Sequence, residues 1–189
     1  TEHNNLQGVC DMGMLPDRLP GFQHVEHAAF RAKFERAWGV TIPPERGWHL
    51  SAMFEAMGRG ELRALYVIGE NPAQSEADQA HTRQLLEGLE FCIAQDILLT
   101  KTAQLADVVF PATAAWCETE GTVTSSERRV QRVRKVLEPP GEAHDDVAIL
   151  FDLARRLGHD WGAPDAEEIW NEVRSLSPVH AGMSYARLE

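Results

Sequence analysis

Three short apolar runs in the middle of the chain constrain its fold more than any other feature. They occupy residues 65–68, 91–94 and 108–110, and each is followed by polar or turn-forming residues. Runs of this length and composition are typical of buried strands. A helix-like segment, residues 75–86, separates the first two, and such crossovers join parallel strands. The sequence therefore predicts an α/β fold with an open, mostly parallel, Rossmann-like sheet and flanking helices.

The ends of these predicted strands carry hydrogen-bonding side chains. Asn71 follows the first run, Asp96 the second and Thr113 the third. Ligands of open parallel sheets bind outside the carboxyl ends of the strands, so the three residues indicate a ligand site at one edge. Each strand end taken alone is also explained by an ordinary turn, since Asn71, Asp96 and Pro111, which precedes Thr113, are of residue types common in turns.

Helices are predicted on both sides of this region. Apolar periodicity indicates helices over residues 25–38, 48–57, 145–157 and 165–176. Ser75 is a candidate N-cap, with Asp78 completing an approximate capping box. Asp145 and Asp146 open the third of these helices, and the helix dipole accounts for one of the two acids. The other is available for a ligand. Residues 4–22 are expected to form an ordered loop or short helical turns, and residues 112–135 a loop leading into a hairpin.

Length and charge limit the function further. The 189 residues fit one domain, and the net charge of −11 argues against a nucleic-acid binder. A local exception lies in residues 121–136, where five basic residues face one acid: Arg128, Arg129, Arg132, Arg134 and Lys135 against Glu127. The segment suits either a phosphate or acidic partner, or an edge strand protected by charge.

Several classes of site and location are not supported by the sequence. Cys10, Cys92 and Cys117 lack CxxC spacing and the histidines lack metal-ligand spacing, so we expect no metal site and no catalytic cysteine. The dinucleotide fingerprint GxGxxG and the P-loop motif are absent. No apolar stretch is long enough to span a membrane, and the polar start lacks a secretory signal, so we expect a cytoplasmic location.

The motifs along the chain resemble one family when they are taken together. They are NNLQGVCDMG at residues 4–13, GENP at 69–72, QD at 95–96, TKTA at 100–103, ADVVFP at 106–111, ETEG at 118–121 and ERR at 127–129. This series resembles the catalytic subunit of molybdopterin-dependent formate dehydrogenases, in the superfamily of molybdopterin guanine dinucleotide oxidoreductases. Nitrate reductases share several of the motifs, and the first string is the one that indicates formate.

The resemblance implies that the chain is the middle part of a larger oxidoreductase subunit. The family's metal-binding selenocysteine or cysteine and its iron–sulfur cysteines have no counterpart here, so an iron–sulfur cluster is expected only outside this chain. The family's active-site arginine lies just before the string that begins at Asn4. Thr1, Glu2 and His3 occupy that approach here, so the arginine is missing or replaced. The implied partners are the remaining domains of the parent subunit and an electron-transfer subunit. No catalytic residue is assigned to this chain, which we expect to be inactive alone.

The resemblance also implies a cradle for one molybdopterin guanine dinucleotide, which carries Mo or W in the whole enzyme. The positions that match the family's binding residues are Gly69, Glu70, Asn71, Ser75, Gln95, Asp96, Thr119 and Asp146. A carboxylate can accept both N–H groups of the guanine edge, while backbone N–H groups can bind phosphate oxygens. Two other interpretations stay open: a nitrate-reductase-like molybdopterin enzyme, and a stand-alone, non-catalytic binding or assembly module.

Overall fold

A computed structural model describes residues 4–114 and 119–189. These ranges contain eight α-helices: α1 (Leu6–Asp11), α2 (Ala28–Trp38), α3 (Leu50–Gly58), α4 (Pro72–Ser75), α5 (Gln79–Glu87), α6 (Asp146–Arg156), α7 (Ala166–Leu176) and α8 (Tyr185–Leu188). They also contain seven strands: β1 (Arg18–Leu19), β2 (Gln23–His24), β3 (Ala64–Ile68), β4 (Phe91–Asp96), β5 (Val108–Pro111), β6 (Gly121–Thr124) and β7 (Val130–Val133). A 3-10 helix spans Ala103–Leu105.

The central sheet has the strand order β3-β4-β5, and both pairs of neighbours are parallel. The predicted α/β fold with a parallel sheet and accompanying helices is therefore confirmed. Pro111 lies on β5, where the strand has a neighbour on one side only, so its missing N–H breaks no ladder. Because the strands run in the same direction, their carboxyl ends share one edge.

The start of α6 is joined to that same edge by a single parallel bridge. Ala112, directly after β5, is paired with His144, and the backbone N–H of His144 donates to the carbonyl oxygen of Pro111 at 3.0 Å. This bridge fixes the two residues before α6 relative to the sheet. The sheet edge thus receives chain segments from β3, β4, β5 and α6.

Contacts divide the described residues into two compact units, and the single domain expected from the sequence stays a prediction. The sheet unit comprises Leu50–Thr119 and Lys135–Pro164, and the hairpin unit comprises the described residues up to His49 with Glu120–Arg134 and Asp165–Glu189. The apolar core of the hairpin unit is formed by Leu19, Phe34 and Leu176. All segments of the sheet edge belong to the sheet unit.

The predicted helices form with small shifts of their ends. α2 ends where expected, at Gly39, which adopts a left-handed conformation (φ 67°) and donates its N–H to Glu35. α6 and α7 begin directly after Asp145 and Asp165, and each aspartate accepts hydrogen bonds from backbone N–H groups of the first turn. A short polar side chain before an apolar helical pattern is thus a reliable start signal here.

The predicted helix cap at Ser75 is wrong. Pro72 suits the first position of a helix, so the short helix α4 begins after Asn71 and Ser75 lies at its end. The backbone is extended at Glu76, and Asp78 caps α5 by accepting a hydrogen bond from the N–H of His81 at 3.0 Å. Asp78 is therefore the cap of the second helix and not the partner of Ser75 in a capping box.

The predicted hairpin is present as the antiparallel pair β6–β7. Its basic residues are partly neutralised within the hairpin unit. The Arg132 side chain is buried, lies over the Tyr185 ring with 3.4 Å between Cζ and the ring centroid, and bonds to Glu120. Arg134 pairs with Glu189 at 2.6 Å. These contacts favour the structural explanation of the basic segment, and the absence of a nucleic-acid partner stays a prediction.

Candidate functional site

Four of the sequence-predicted site residues meet at the carboxyl edge of the sheet. Asn71 directly precedes α4 in the loop after β3, Gln95 and Asp96 are the last two residues of β4, and Asp146 is the first residue of α6. Gln95 is paired with Ile68 and Phe110, so it lies at the centre of the three-stranded edge. The parallel strand order brings these residues together.

Gln95 connects the sheet to α6. Its side chain is almost fully buried, with 1% of its surface exposed. The side-chain carbonyl oxygen accepts a hydrogen bond from the Tyr66 hydroxyl, and Nε2 donates to Oδ1 of Asp146 at 2.6 Å. Both functional ends of the amide are used, so the side chain is held in one orientation. Gln95 thus positions the carboxylate and leaves little of its own surface for a ligand.

Asp146 carries a partly buried carboxyl group. Burial raises its pKa; the hydrogen bond from Gln95 opposes this rise, and the negative charges of Asp145 and Asp96 add to it. Burial, followed by the charge of Asp146, also raises the pKa of Tyr66. No group in the described ranges donates a hydrogen bond to the second oxygen, Oδ2. A partly buried carboxylate beside two like charges and without a cation is costly unless a donor approaches it.

The neighbouring acid, Asp145, is occupied by the protein itself. Its Oδ1 accepts from the N–H groups of Val147 at 2.8 Å and Ala148 at 3.4 Å, and its Oδ2 accepts from the Thr119 hydroxyl. Asp145 therefore serves as the helix cap, which leaves Asp146 as the acid available to a ligand. Thr119 is held at the edge through Asp145.

Asn71 and Asp96 hold the two loops that border the edge. The Asn71 side-chain oxygen accepts from the backbone N–H of Thr102 at 3.1 Å and from its hydroxyl at 2.9 Å. Thr102 is fully buried, and its hydroxyl oxygen also accepts from the N–H of Ala73 at 3.1 Å. Oδ1 of Asp96 accepts from the N–H of Leu98 at 3.1 Å. These bonds preorganise the loops after β3 and β4.

The remaining predicted residues flank this network. Gly69, Glu70 and Ser75 are exposed. Gly69 has a φ of +64°, donates its N–H to Gln95 at 2.9 Å, and has no atom within 4 Å of the position a Cβ would occupy. Its backbone is therefore open to a close approach. Ser75 ends α4, and its hydroxyl takes no part in the bonds that join Gln95 to Asp146.

Two residues that complete the network were missed by the sequence reasoning. Tyr66 lies inside β3, where its aromatic ring is explained by packing, and only the register reveals its bond to Gln95. Thr102 belongs to the TKTA motif, so the sequence drew attention to this segment, but it did not indicate the hydrogen bonds that Thr102 makes. Cys92 lies in the core of the sheet unit, with 2% of its surface exposed.

The ranges 4–114 and 119–189 contain no group of three or more His, Cys, Asp or Glu residues that could hold a metal ion. Among the described helices none is long and apolar enough to cross a membrane. Cys117, for which no catalytic role is predicted, lies outside the described residues.

Relatives of the chain carry related names. The chain is 42% identical over 186 residues to formate dehydrogenase H of Escherichia coli, covering 98% of this chain and 26% of that protein. It is 44% identical over 188 residues to the F420-dependent formate dehydrogenase subunit alpha of Methanocaldococcus jannaschii, with coverages of 98% and 27%. The chain thus spans about a quarter of the length of these relatives.

A solved structure supports the same relationship. The acetylene hydratase of Pelobacter acetylenicus superposes with a TM-score of 0.56 at 25% identity, over 85% of this chain and 23% of that protein. The family described as Molybdopterin oxidoreductase matches residues 2–156, which is most of the chain and includes every residue of the sheet edge. The chain belongs to the molybdopterin oxidoreductase family.

Proposed function

We propose that the carboxyl edge of the sheet unit binds the guanosine diphosphate half of a molybdopterin guanine dinucleotide. The observation that carries this proposal is the Asp146 carboxylate, which is partly buried and held by Gln95 through one oxygen, while its other oxygen receives no hydrogen bond from residues 4–114 and 119–189. The Asp146 carboxylate fits guanine, because guanine offers two adjacent N–H donors and a carboxylate accepts both.

The other residues have distinct roles in this proposal. Asp96 is the second acid at the edge and supports the negative potential that attracts the guanine donors. The backbone at Gly69, where a Cβ would meet no atom within 4 Å, leaves open space for the pyrophosphate, and Glu70 and Asn71 follow it along the same loop. Ser75 and Thr119 supply hydroxyl groups at the two borders. Gln95 positions Asp146 and does not itself need to contact the ligand.

The chain is further proposed to be part of an enzyme that oxidises formate to carbon dioxide, releasing one proton and two electrons. Support comes from relatives at 42–44% identity that are named formate dehydrogenases. When bound, the cofactor supplies the molybdenum or tungsten at which such chemistry occurs. The metal ligand, an iron–sulfur cluster, the electron-transfer partner and the remaining domains then lie outside this chain. On this account the 189-residue chain alone reduces no dye with formate, and its cytoplasmic location stays a prediction.

The guanine site is tested by titrating the 189-residue chain with GDP and, separately, with ADP by isothermal titration calorimetry. GDP carries the guanine and pyrophosphate of the dinucleotide, whereas the adenine ring of ADP lacks the pair of N–H donors. We expect GDP to bind at least about tenfold more tightly, because a site built for hydrogen bonding rejects an analogue that leaves its groups unpaired. Equal affinities would contradict recognition of guanine by an acid.

A further inference from the structure

A cavity of about 220 Å³ lies in the sheet unit, at residues that the dinucleotide proposal does not use. It is bordered by the first turns of α5, by α4 and by the segment before and within the 3-10 helix. Three of its lining side chains are apolar, one is an amide and two are cationic: Ala73, Ala80, Leu105, Gln79, Arg83 and Lys101. Such a lining suits an anion with a small apolar body.

The two cations are available to a ligand. Lys101 is exposed and forms no ion pair with the described residues. Arg83 donates through Nε to Glu87 at 2.8 Å, a surface pair four residues apart on α5. Exposed pairs of this kind contribute little stability, about 0.3–0.5 kcal/mol, and the two terminal nitrogens of the guanidinium group are not used in it. Both cations therefore lie at the cavity without a strong competing partner.

The cavity also meets the N-terminal end of α5. Asp78 accepts from the N–H of His81, while Gln79 and Ala80 lie in the first helical turn, where backbone N–H groups have no partner within the helix. The Asp78 carboxylate offsets the partial positive charge of this helix start, so the attraction for an anion rests on Arg83 and Lys101. The cavity lining carries two cationic side chains and no acid, in a chain with a net charge of −11.

We propose that this cavity is a second anion site, which binds the phosphate group of a small phosphorylated molecule independently of the dinucleotide. Lys101 and Arg83 bind the phosphate oxygens. The apolar surface of Ala73, Ala80 and Leu105 packs against the carbon atoms of the ligand. Inorganic phosphate is the minimal ligand of such a site.

The proposal is tested by titrating the 189-residue chain with inorganic phosphate at constant ionic strength, followed by phosphorus NMR. We expect saturable binding that weakens at least about tenfold in Lys101→Gln and in Arg83→Gln. Lys135→Gln and Arg156→Gln are the matched controls, since Lys135 is an exposed lysine of the same unit and Arg156 pairs through Nε with Asp152 at 2.8 Å. Binding that is absent, non-saturable or equally weakened by the controls overturns the proposal.

A second pair of variants tests the cavity without removing a cation. Ala80→Glu places a carboxylate in the lining, at a helical position where acids are favoured, and should abolish phosphate binding while the uncharged Ala80→Gln retains part of it. The affinity for GDP should be unchanged in Lys101→Gln. A tenfold loss of GDP affinity in that variant would show that the cavity belongs to the dinucleotide site, and the second site would be refuted.

Discussion

Replacing Asp146 by Asn separates the stability of the chain from its proposed binding function. Asn retains an oxygen that can accept the hydrogen bond from Gln95, which the aspartate receives at 2.6 Å. It also removes a carboxylate whose pKa is raised by burial and by the charges of Asp145 and Asp96. A group whose folded pKa lies above its unfolded value destabilises the fold once the pH exceeds that folded pKa, because ionisation is then easier in the unfolded chain.

The substitution is therefore expected to leave the free energy of unfolding at pH 7 unchanged or to raise it. Guanine binding should respond in the opposite direction, because Asn offers one acceptor and one donor where guanine presents two donors. Losing a hydrogen bond to a charged group costs about 1.5–3 kcal/mol. This corresponds to a decrease in GDP affinity of about 10- to 150-fold.

Asp145→Asn is the matched control, since it makes the same chemical change one residue earlier. Asn caps helices about as well as Asp, so α6 and its stability should be retained, and GDP affinity should change little. Urea unfolding monitored by circular dichroism gives the stabilities, and calorimetry gives the affinities. Undiminished GDP binding in Asp146→Asn, or an equal loss in both variants, would refute the assignment of Asp146 to the guanine edge.

Three further predictions concern the backbone and the pH dependence of the fold. Gly69→Ala should cost about 1 kcal/mol because of its φ of +64°, whereas Gly121→Ala, with a normal φ and equally open space, should not; equal costs in urea unfolding would contradict this. Arg128 also has a positive φ, of 60°, at the β6–β7 turn, so Arg128→Gly should raise stability by up to about 1 kcal/mol in the same assay. Burial lowers the pKa of His180 below 6.5, opposed by the charge of Asp11, so its unfolded state binds the proton more readily. Thermal stability should then fall as the pH drops below about 6.5, and a slope unchanged in His180→Gln would exclude this histidine as a cause.

Local patterns were sufficient for much of the fold. β3, β4 and β5 follow from short apolar runs, and the starts of α6 and α7 from an aspartate before an apolar helical pattern. The single helix predicted for the segment after β3 was wrong, because Pro72 and Asp78 each start a helix within seven residues. Local propensity cannot decide between such competing starts, since their outcome depends on how the loop packs.

The candidate site was predictable in position but not in the roles of its residues. The parallel order of the strands brings Gln95 and Asp96 to one edge with Asn71, as the sequence predicts, and the bridge between Ala112 and His144 brings Asp146 to it. The role of each residue depends on the strand register and on hydrogen bonds between residues distant in sequence, such as Tyr66 to Gln95 and Thr102 to Asn71. A sequence pattern carries no information about which atoms of a side chain are already occupied, so it could not indicate the bonds of Gln95 to Tyr66 and Asp146. The assignment of Gln95 as a cofactor-binding residue stays a prediction.

The central claim is most directly tested by mapping GDP onto the 189-residue chain with backbone amide NMR. The account predicts that GDP shifts the amide signals of residues 69–75, 95–98 and 145–148, all at the carboxyl edge of the sheet. The signals of Ala64 and Phe91, at the opposite edge, and those of the hairpin unit core should stay in place. Shifts confined to the opposite edge or to the hairpin unit would contradict a guanine nucleotide site at the strand ends.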